Sequence, residues 1–529
     1  MNGKEILILP RHSSADFVIQ DSLKKITKGS SIVFLGMILG MLFGILGRIV
    51  IARWTTPEQY GIFTLGLGLV TIFSGLAALG LTEGAARYIA YYKGQRDIMK
   101  IREVIFSSVQ ISLISGFFAA LALYAYSSFF AEKLLHNSQL SSHIKIFSLA
   151  ITFIVLVNIL VAICRGFGIV EARSYFDDIL RNILFLGMVT IFLKTGKDFS
   201  SVIWSYTASF IISFTAIMFF IIKKKIIPKT ADSIKNIGST HSNFIKKKLM
   251  FYSMPILGIS IIGIIYARAD TLMLGYFKTT AVVGFYNAAY PMADLITVAM
   301  AAITFVLLPV LSELYAKKSM DEMKKVYTIV TKWVIIFSFP VFLFFFVFSK
   351  IILINLFGIK YAAADIPLQI LVLATFFLIL AGPTNIALQA VGKTKFMMWT
   401  AVIGLILNIT LNFLLIPYLG MIGAAIAYFA GRLTIQAIQL FKLRRSLGLS
   451  PFDVRYLKTI LISAIILLVF YVIFHKISIS VLMLIPMSLL LIPIYGFILY
   501  KANGFCQEDI TVIREIRDRI GAFFYPYFV

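Results

Sequence analysis

The chain has 529 residues, of which 60% are hydrophobic and only 14% charged, with 48 Phe and a mean hydropathy of +0.93. A soluble chain carries about 25% charged residues. Half that density, spread over repeated apolar runs, describes a polytopic membrane protein and excludes a soluble enzyme, a fibre and a disordered protein.

Residues 1–29 are polar and basic, and the apolar segment after them has the length of a full span rather than of a cleavable signal peptide. Fourteen apolar segments follow, near 31–53, 62–81, 104–126, 146–168, 176–194, 201–222, 250–275, 282–309, 327–348, 367–389, 396–416, 421–441, 456–474 and 480–500. At about 1.5 Å per residue each crosses a hydrocarbon layer of about 30 Å as a helix. Helices are the open-ended solution in lipid, so the expected fold is all-α. Beyond the last span, Ile510, Ile513, Ile516 and Ile520 share one face of a stretch that suits either a helix in the headgroup region or a solvated tail.

Lys and Arg number 49 against 24 Asp and Glu, a formal net charge of +25, which taken alone resembles a nucleic-acid signature. The distribution says otherwise. With an even number of spans and a cytoplasmic N-terminus, 37 of the basic residues fall in inner segments and nine in outer ones. Among the inner ones are Lys223, Lys224, Lys225, Lys246, Lys247 and Lys248, and also Arg165, Arg173 and Arg181. This is the positive-inside pattern, so the charge sets topology, both termini are expected in the cytoplasm, and no nucleic acid is implied. Cys164 and Cys506 lie far apart and make neither a metal cluster nor a disulfide framework.

The longest connection, Lys-rich with Ser, Asn and Gly, falls near the middle of the chain and reads as a linker. An internal repeat supports the division: Thr55-Thr56-Pro57-Glu58-Gln59-Tyr60-Gly61-Ile62-Phe63 is echoed by Thr279-Thr280-Ala281-Val282-Val283-Gly284-Phe285-Tyr286. An even number of spans separates the copies, so the halves share one orientation about an axis along the membrane normal. The expected organisation is a cytoplasmic segment 1–29, an N-lobe 30–222 with spans one to six, and a basic linker 223–249. A C-lobe 250–445 with spans seven to twelve, spans thirteen and fourteen in 446–501, and an amphipathic cytoplasmic tail 502–529 complete it. The two lobes are two six-helix bundles related by a pseudo-twofold, with the last two spans added.

From Ile51 to Ala90, IARWTTPEQYGIFTLGLGLVTIFSGLAALGLTEGAARYIA resembles the opening signature of the polysaccharide transporter flippases of the multidrug/oligosaccharidyl-lipid/polysaccharide exporter superfamily. A second match runs from Asp270 to Leu314, through Leu274-Gly275-Tyr276-Phe277 and Val283-Gly284-Phe285-Tyr286-Asn287-Ala288-Ala289-Tyr290. A third is Leu388-Gln389-Ala390-Val391-Gly392-Lys393-Thr394-Lys395. Trp54-Thr55-Thr56 stands where the family has Leu-Gly before the proline, a departure confined to the turn. The resemblance implies a V-shaped pair of bundles around a central cavity, and transport of undecaprenyl- or dolichyl-linked saccharides by alternating access.

The polar residues inside spans point the same way. A charge at mid-membrane costs about 2.5–3.5 kcal/mol on insertion scales, so it faces water, a partner or a ligand. Arg48, Arg268 and Arg432 lie in the first, seventh and twelfth spans. Arg268 and Asp270 are two residues apart, point to opposite sides of one helix, and need separate partners. A guanidinium is a permanent charge with forked donors that match phosphate oxygens, so a cationic lining suits a phosphate or pyrophosphate head. The alternatives are interhelical ion pairs, or snorkelling as expected for Arg53. Asn287, Pro291 and Asp294 share a face of the eighth span, suited to sugar hydroxyls. Asp294 either couples transport to a proton or sodium gradient or pairs with an arginine of another helix. Gln436 lies on the same face as Arg432, while Asn408 and Asn412 make interhelical hydrogen bonds. Gly36, Gly40, Gly44 and Gly47 give the first span a small face for close packing.

Other motifs fail. Gly392-Lys393-Thr394 lacks the leading glycine of a phosphate loop, which would fall at Ala387. Asp177-Asp178 suggests a metal-dependent glycosyltransferase but opens a membrane helix with no catalytic domain. Neither metal nor cofactor is expected, and the chain reads as a transporter rather than an enzyme. Its partners are a lipid-linked oligosaccharide, the membrane lipids and a coupling proton or sodium ion. Two other functions compete: a cation-coupled multidrug exporter of the same superfamily, for which an acid-rich cavity is expected, and a membrane-embedded glycan polymerase or ligase, for which a large outer loop is expected.

Overall fold

In lipid each backbone group must be satisfied within its own segment, and the described residues form helices with no strand. The computed structural model describes residues 35–227 and 239–450, with isolated positions between 461 and 498. Segments 1–29 and 502–529 lie outside it, as do the expected spans 456–474 and 480–500 apart from those positions.

In chain order the helices of the first half are α1 (Leu35–Trp54), α2 (Pro57–Ala77), α3 (Leu81–Gly94), α4 (Ile98–Ala125) and α5 (Gln139–Gly166). A π-helical turn of the chain (Arg173–Leu180) then runs into α6 (Arg181–Lys194), followed by α7 (Ser200–Lys223). Next come α8 (Ser239–Phe277), α9 (Thr280–Asp294), α10 (Val298–Ala316), α11 (Met320–Val347) and α12 (Ser349–Phe357). Last are α13 (Asp365–Leu380), α14 (Thr384–Ala390), α15 (Thr394–Leu419) and α16 (Met421–Leu447). Ten helices among the described residues are long and apolar enough to cross a membrane. The protein is a multi-pass membrane protein.

Local chemistry explains the ends and the breaks. Thr56 and Gln59 form a reciprocal capping box at the start of α2, with Pro57 in the first turn, where its missing N–H costs nothing. The expected eighth span is two helices, α9 and α10, joined by a 3-10 turn (Leu295–Thr297). Pro291 cannot donate to the carbonyl of Asn287, and the Tyr60 hydroxyl of α2 donates to that carbonyl instead, at 3.3 Å. The expected tenth span is broken into α13 and α14 at Gly382-Pro383, where Gly382 takes φ +72°. There the Tyr327 hydroxyl donates to the Ala381 carbonyl at 3.1 Å, and Gln436 Nε2 reaches the Gly382 carbonyl at 3.3 Å and Thr384 Oγ1 at 3.1 Å. The basic stretch before the seventh span is helical from Ser239, which makes α8 39 residues long.

Two sets of glycines set the packing. On α1, a Cβ at Gly36 would meet Ser174, at Gly40 Asp178, at Gly44 Asn182 and at Gly47 Phe185. Both series ascend together, so α1 lies parallel to the π-helical segment and α6, rung for rung. On α2, a Cβ at Gly61 would strike the Thr280 carbonyl, and one at Gly284 of α9 would strike the Pro57 carbonyl. The same sequence interval separates Gly61 from Gly284 and Pro57 from Thr280, so the contact is reciprocal between the two copies of the repeat. α2 also packs on α8, and α8 on α15.

Charged ends tie the halves together. Arg87 of α3 lies over the Tyr252 ring of α8 at 4.3 Å, and Lys248 of α8 lies over Tyr88 and Tyr92 at 5.4 and 5.8 Å. At the far end, Arg53 Nε donates to the Leu356 carbonyl at 2.9 Å and its Nη2 to that of Asn355. Lys278 Nζ donates to the Pro417 carbonyl at 2.8 Å. Both cations therefore sit on the last carbonyls of a helix, α12 and α15, where the helix dipole favours them. Arg53 is exposed, as its expected snorkelling requires, but it serves α12.

The glycine crossing gives a direct test. Gly284→Val forces a branched Cβ into the space of the Pro57 carbonyl and is expected to cost about 1–3 kcal/mol, read as a lower thermal midpoint in detergent. Gly258→Ala, where no atom lies within 4 Å of the added carbon, is expected to leave the midpoint in place. Equal midpoints for the two variants would refute the crossing.

Candidate functional site

Three helices distant in sequence each bring one arginine to the interior: Arg48 on α1, Arg268 on α8 and Arg432 on α16. None of the described ion pairs includes them. Their partners are neutral. Arg48 lies beside the Tyr60 hydroxyl. Arg432 Nε donates to the Tyr428 hydroxyl at 3.2 Å, and its guanidinium lies 5.5 Å from the Tyr428 ring and 5.7 Å from that of Tyr266. Tyr290 packs edge-on against Tyr428, with centroids 5.6 Å apart. Arg268 Nε is buried and has no hydrogen-bond partner.

Asp294, at the end of α9, lies in the field of all three, with Arg432 the strongest influence and Arg48 and Arg268 after it. Arg268 in turn feels Arg48 as a like charge. Arg48, Arg268, Asp294 and Arg432 are thus brought together, with positive charge in excess over that carboxylate.

The other candidates from the sequence make their hydrogen bonds elsewhere, although Asp270 also lies in the field of Arg432. Asp270 is 3% exposed and accepts from Asn412 Nδ2 at 2.7 Å, Tyr286 Oη at 2.9 Å and Asn408 Nδ2 at 3.0 Å. Arg268 and Asp270 therefore have different surroundings, as their opposed directions on α8 require. The expected pair Asn408 and Asn412 is bonded at 3.2 Å, and Asn412 Oδ1 is buried without a partner. Asn287 is held within the α8–α9 joint, accepting from Thr271 Oγ1 at 3.1 Å and donating to the Val283 carbonyl at 3.0 Å. Gln436 serves the Gly382 break described above.

Next to the arginines a cavity of about 730 Å³ opens between α2, α5, α7 and α8. Its charged lining is Glu83, Arg165, Arg173 and Asp177, and Asn158, Thr71, Ser74 and Ser260 add neutral polar groups. Arg165 pairs with Glu83 at 2.9 Å, and Arg181, one helical turn beyond Asp177, holds that carboxylate at 3.0 Å. Tyr206 lines the inner end, its ring boxed by Phe63, Phe147, Phe185 and Phe210. It lies in the field of Arg181, Arg268, Asp177 and Arg48, which joins the cavity to the arginine group. Sequence reasoning missed these residues: Arg165, Arg173 and Arg181 counted as topogenic charge, and Asp177 was set aside as a failed enzyme motif. The i, i+4 spacing of Asp177 and Arg181 was the available signal.

Known proteins bear on this arrangement. The sequence pattern of the family described as polysaccharide biosynthesis protein matches residues 26–315, and that of MatE matches residues 255–414. A putative O-antigen transporter of Shigella flexneri is 23% identical over 72% of this chain and 88% of its own length. A probable low-salt glycan biosynthesis flippase, Agl15, of Haloferax volcanii is 24% identical over 76% of this chain and 80% of its own. Among solved structures, the lipid II flippase MurJ in an inward closed conformation superposes with a TM-score of 0.67 at 19% identity, over 89% of this chain and 99% of that one. The fold is therefore that of transporters of the multidrug/oligosaccharidyl-lipid/polysaccharide class. The first pattern spans more than half of the chain, and the chain belongs to the polysaccharide biosynthesis protein family.

Proposed function

We propose that the chain is a flippase that moves a polyprenyl- or dolichyl-(pyro)phosphate-linked oligosaccharide across the cytoplasmic membrane by alternating access, for the synthesis of a cell-surface glycan. The observation that carries this reading is the set of Arg48, Arg268 and Arg432, which converge from three helices with tyrosines as direct neighbours of Arg48 and Arg432 and with the Nε of Arg268 unpartnered. Positive charge held in a low dielectric in excess of its counter-ions attracts an anion strongly. The buried, unpartnered Nε of Arg268 is a donor awaiting an acceptor. The names of the relatives refer to O-antigen transport, low-salt glycan biosynthesis and lipid II, and each of those roles is consistent with a saccharide on a lipid phosphate.

On this reading the end of the molecule that carries Lys93, Lys223 and Lys248 faces the cytoplasm with both termini, as the positive-inside pattern requires. The full chain has fourteen spans, twelve of them in two six-helix bundles about a pseudo-twofold. The reciprocal Gly61–Gly284 crossing supports that axis. Asp294 is the coupling carboxylate. A bound pyrophosphate and Asp294 compete for the same guanidiniums, so a proton or a sodium ion at Asp294 relieves their repulsion. Export of cationic drugs fits less well, because the arginine group repels a cation.

Two variants test this in proteoliposomes that carry a lipid-linked oligosaccharide, with lectin access to the opposite leaflet as the readout. Arg268→Ala is expected to slow translocation about 10- to 100-fold, the worth of one hydrogen bond to a charged group, with insertion and thermal midpoint unchanged. Normal translocation by a well-inserted variant would remove Arg268 from the site. Asp294→Asn is expected to abolish the response of translocation to an imposed proton or sodium gradient, and a variant that still responds would move coupling elsewhere.

A further inference from the structure

The charged groups along the path fall into two chemically different sets. Arg48, Arg268 and Arg432 have no carboxylate at ion-pair distance among the described residues, whereas the arginines of the adjoining cavity do. Arg165 is held by Glu83 at 2.9 Å, Arg181 by Asp177 at 3.0 Å, and Arg173 lies 3.9 Å from Asp178. The cavity lining carries two arginines and two carboxylates, so it offers no excess charge to a second anion. Paired carboxylates and guanidiniums instead present fixed acceptors and donors side by side, which is what vicinal hydroxyls require.

We propose that this cavity is the saccharide subsite, that it takes an uncharged sugar directly next to the phosphate, and that Asp177 and Tyr206 read that sugar, with Arg181 as the positioning residue. The inference rests on the flippase reading and adds the class of sugar to it. Three features carry it. The first is location: Tyr206 lines the cavity and packs on Phe185, which abuts Gly47 next to Arg48, and Ile264, one turn before Arg268, lines the cavity as well, so the phosphate-to-sugar bond falls at this end of it. The second is rigidity. Four phenylalanines box the Tyr206 ring, with centroids 5.1 to 6.3 Å away, which aims the hydroxyl without using it. Arg181 is likewise pinned over the Phe210 ring at 4.8 Å and grips Asp177 through its Oδ1 and its carbonyl, both at 3.0 Å. The third is access: Asp177 keeps 23% of its side-chain surface exposed and lines the cavity.

The volume sets the scale. About 730 Å³ lies within the roughly 300–1,000 Å³ of small-molecule sites, enough for the first few sugars and too little for a long polymer. A uronic acid in the first position would bring its carboxylate against Asp177 and Glu83, with Arg165 already paired and only the loosely held Arg173 to meet it, so acidic first sugars are disfavoured.

The test compares three lipids with the full-length protein in proteoliposomes: a polyprenyl pyrophosphate without sugar, the same lipid with N-acetylglucosamine, and the same lipid with glucuronic acid. Wild type is expected to bind the N-acetylglucosamine lipid about tenfold more tightly than the glucuronic acid lipid, the worth of one repelled charge near a surface. Tyr206→Phe keeps the ring and removes the hydroxyl; Asp177→Asn keeps the shape and removes the charge. Each is expected to weaken the N-acetylglucosamine lipid about tenfold and to leave the sugar-free lipid unchanged, while Arg268→Ala weakens both. The subsite is refuted if Tyr206→Phe and Asp177→Asn, at wild-type thermal midpoints, change neither lipid or change both equally, or if wild type does not distinguish the two sugars. Failure of wild type to bind the sugar-free lipid, with the sugar preference intact, would instead overturn the phosphate role of the arginines.

Discussion

A guanidinium cannot discard its charge, and inside a hydrocarbon slab that charge must be met by something. Here it is met by tyrosines. The ring faces of Tyr266 and Tyr428 and the hydroxyl of Tyr428 surround Arg432, and the hydroxyl of Tyr60 attends Arg48. Ring quadrupoles and hydroxyl dipoles attract a cation without cancelling it, so the protein tolerates the charges and still presents a positive field. Asp294 tempers that field from the end of α9.

Tyr60 links this constraint to the architecture. It is fully buried, its hydroxyl replaces the N–H that Pro291 lacks, and it stands one residue before Gly61, where α2 and α9 meet backbone to backbone. The most intimate contact between the two repeats therefore adjoins the arginine group. The tyrosine that closes the crossing is thus also the neighbour of a cation.

Much of this was legible in the sequence because membrane insertion acts on local composition. The apolar runs gave the helices, and the spacing of Gly36, Gly40, Gly44 and Gly47 gave a packing face that meets residues 174–185, whereas the capping box of Thr56 and Gln59 starts α2 five residues before the expected span. Cost alone singled out Arg48, Arg268 and Arg432. Partners were not legible, because they depend on which helices meet. Asp270 looked like a cavity group and lies among Asn408, Asn412 and Tyr286, all of them brought by tertiary packing. Gln436 shares a helix face with Arg432, yet it is drawn to carbonyls freed at Gly382. The π-helical segment that turns Asp177 to the cavity inserts its extra residue without a composition signal.

The contrast between paired and unpaired arginines has an energetic reason. If Arg268 carried a carboxylate partner, an incoming phosphate would first have to break a buried ion pair, which leaves the displaced carboxylate uncompensated at about 3–5 kcal/mol. Arg268, with its Nε unpartnered, exacts no such exchange. A sugar makes the opposite demand. It brings no charge, only hydroxyls that exchange water for protein groups at about 0.5–1.5 kcal/mol each, and it gains from donors and acceptors that are already fixed in place. Asp177 and Arg181 are fixed by each other and by Phe210, and the exposed pair of Glu83 and Arg165 stands at the cavity rim. On the proposed reading, the two halves of one substrate thus call for two kinds of arginine, and both kinds occur side by side along a path that Tyr206 joins.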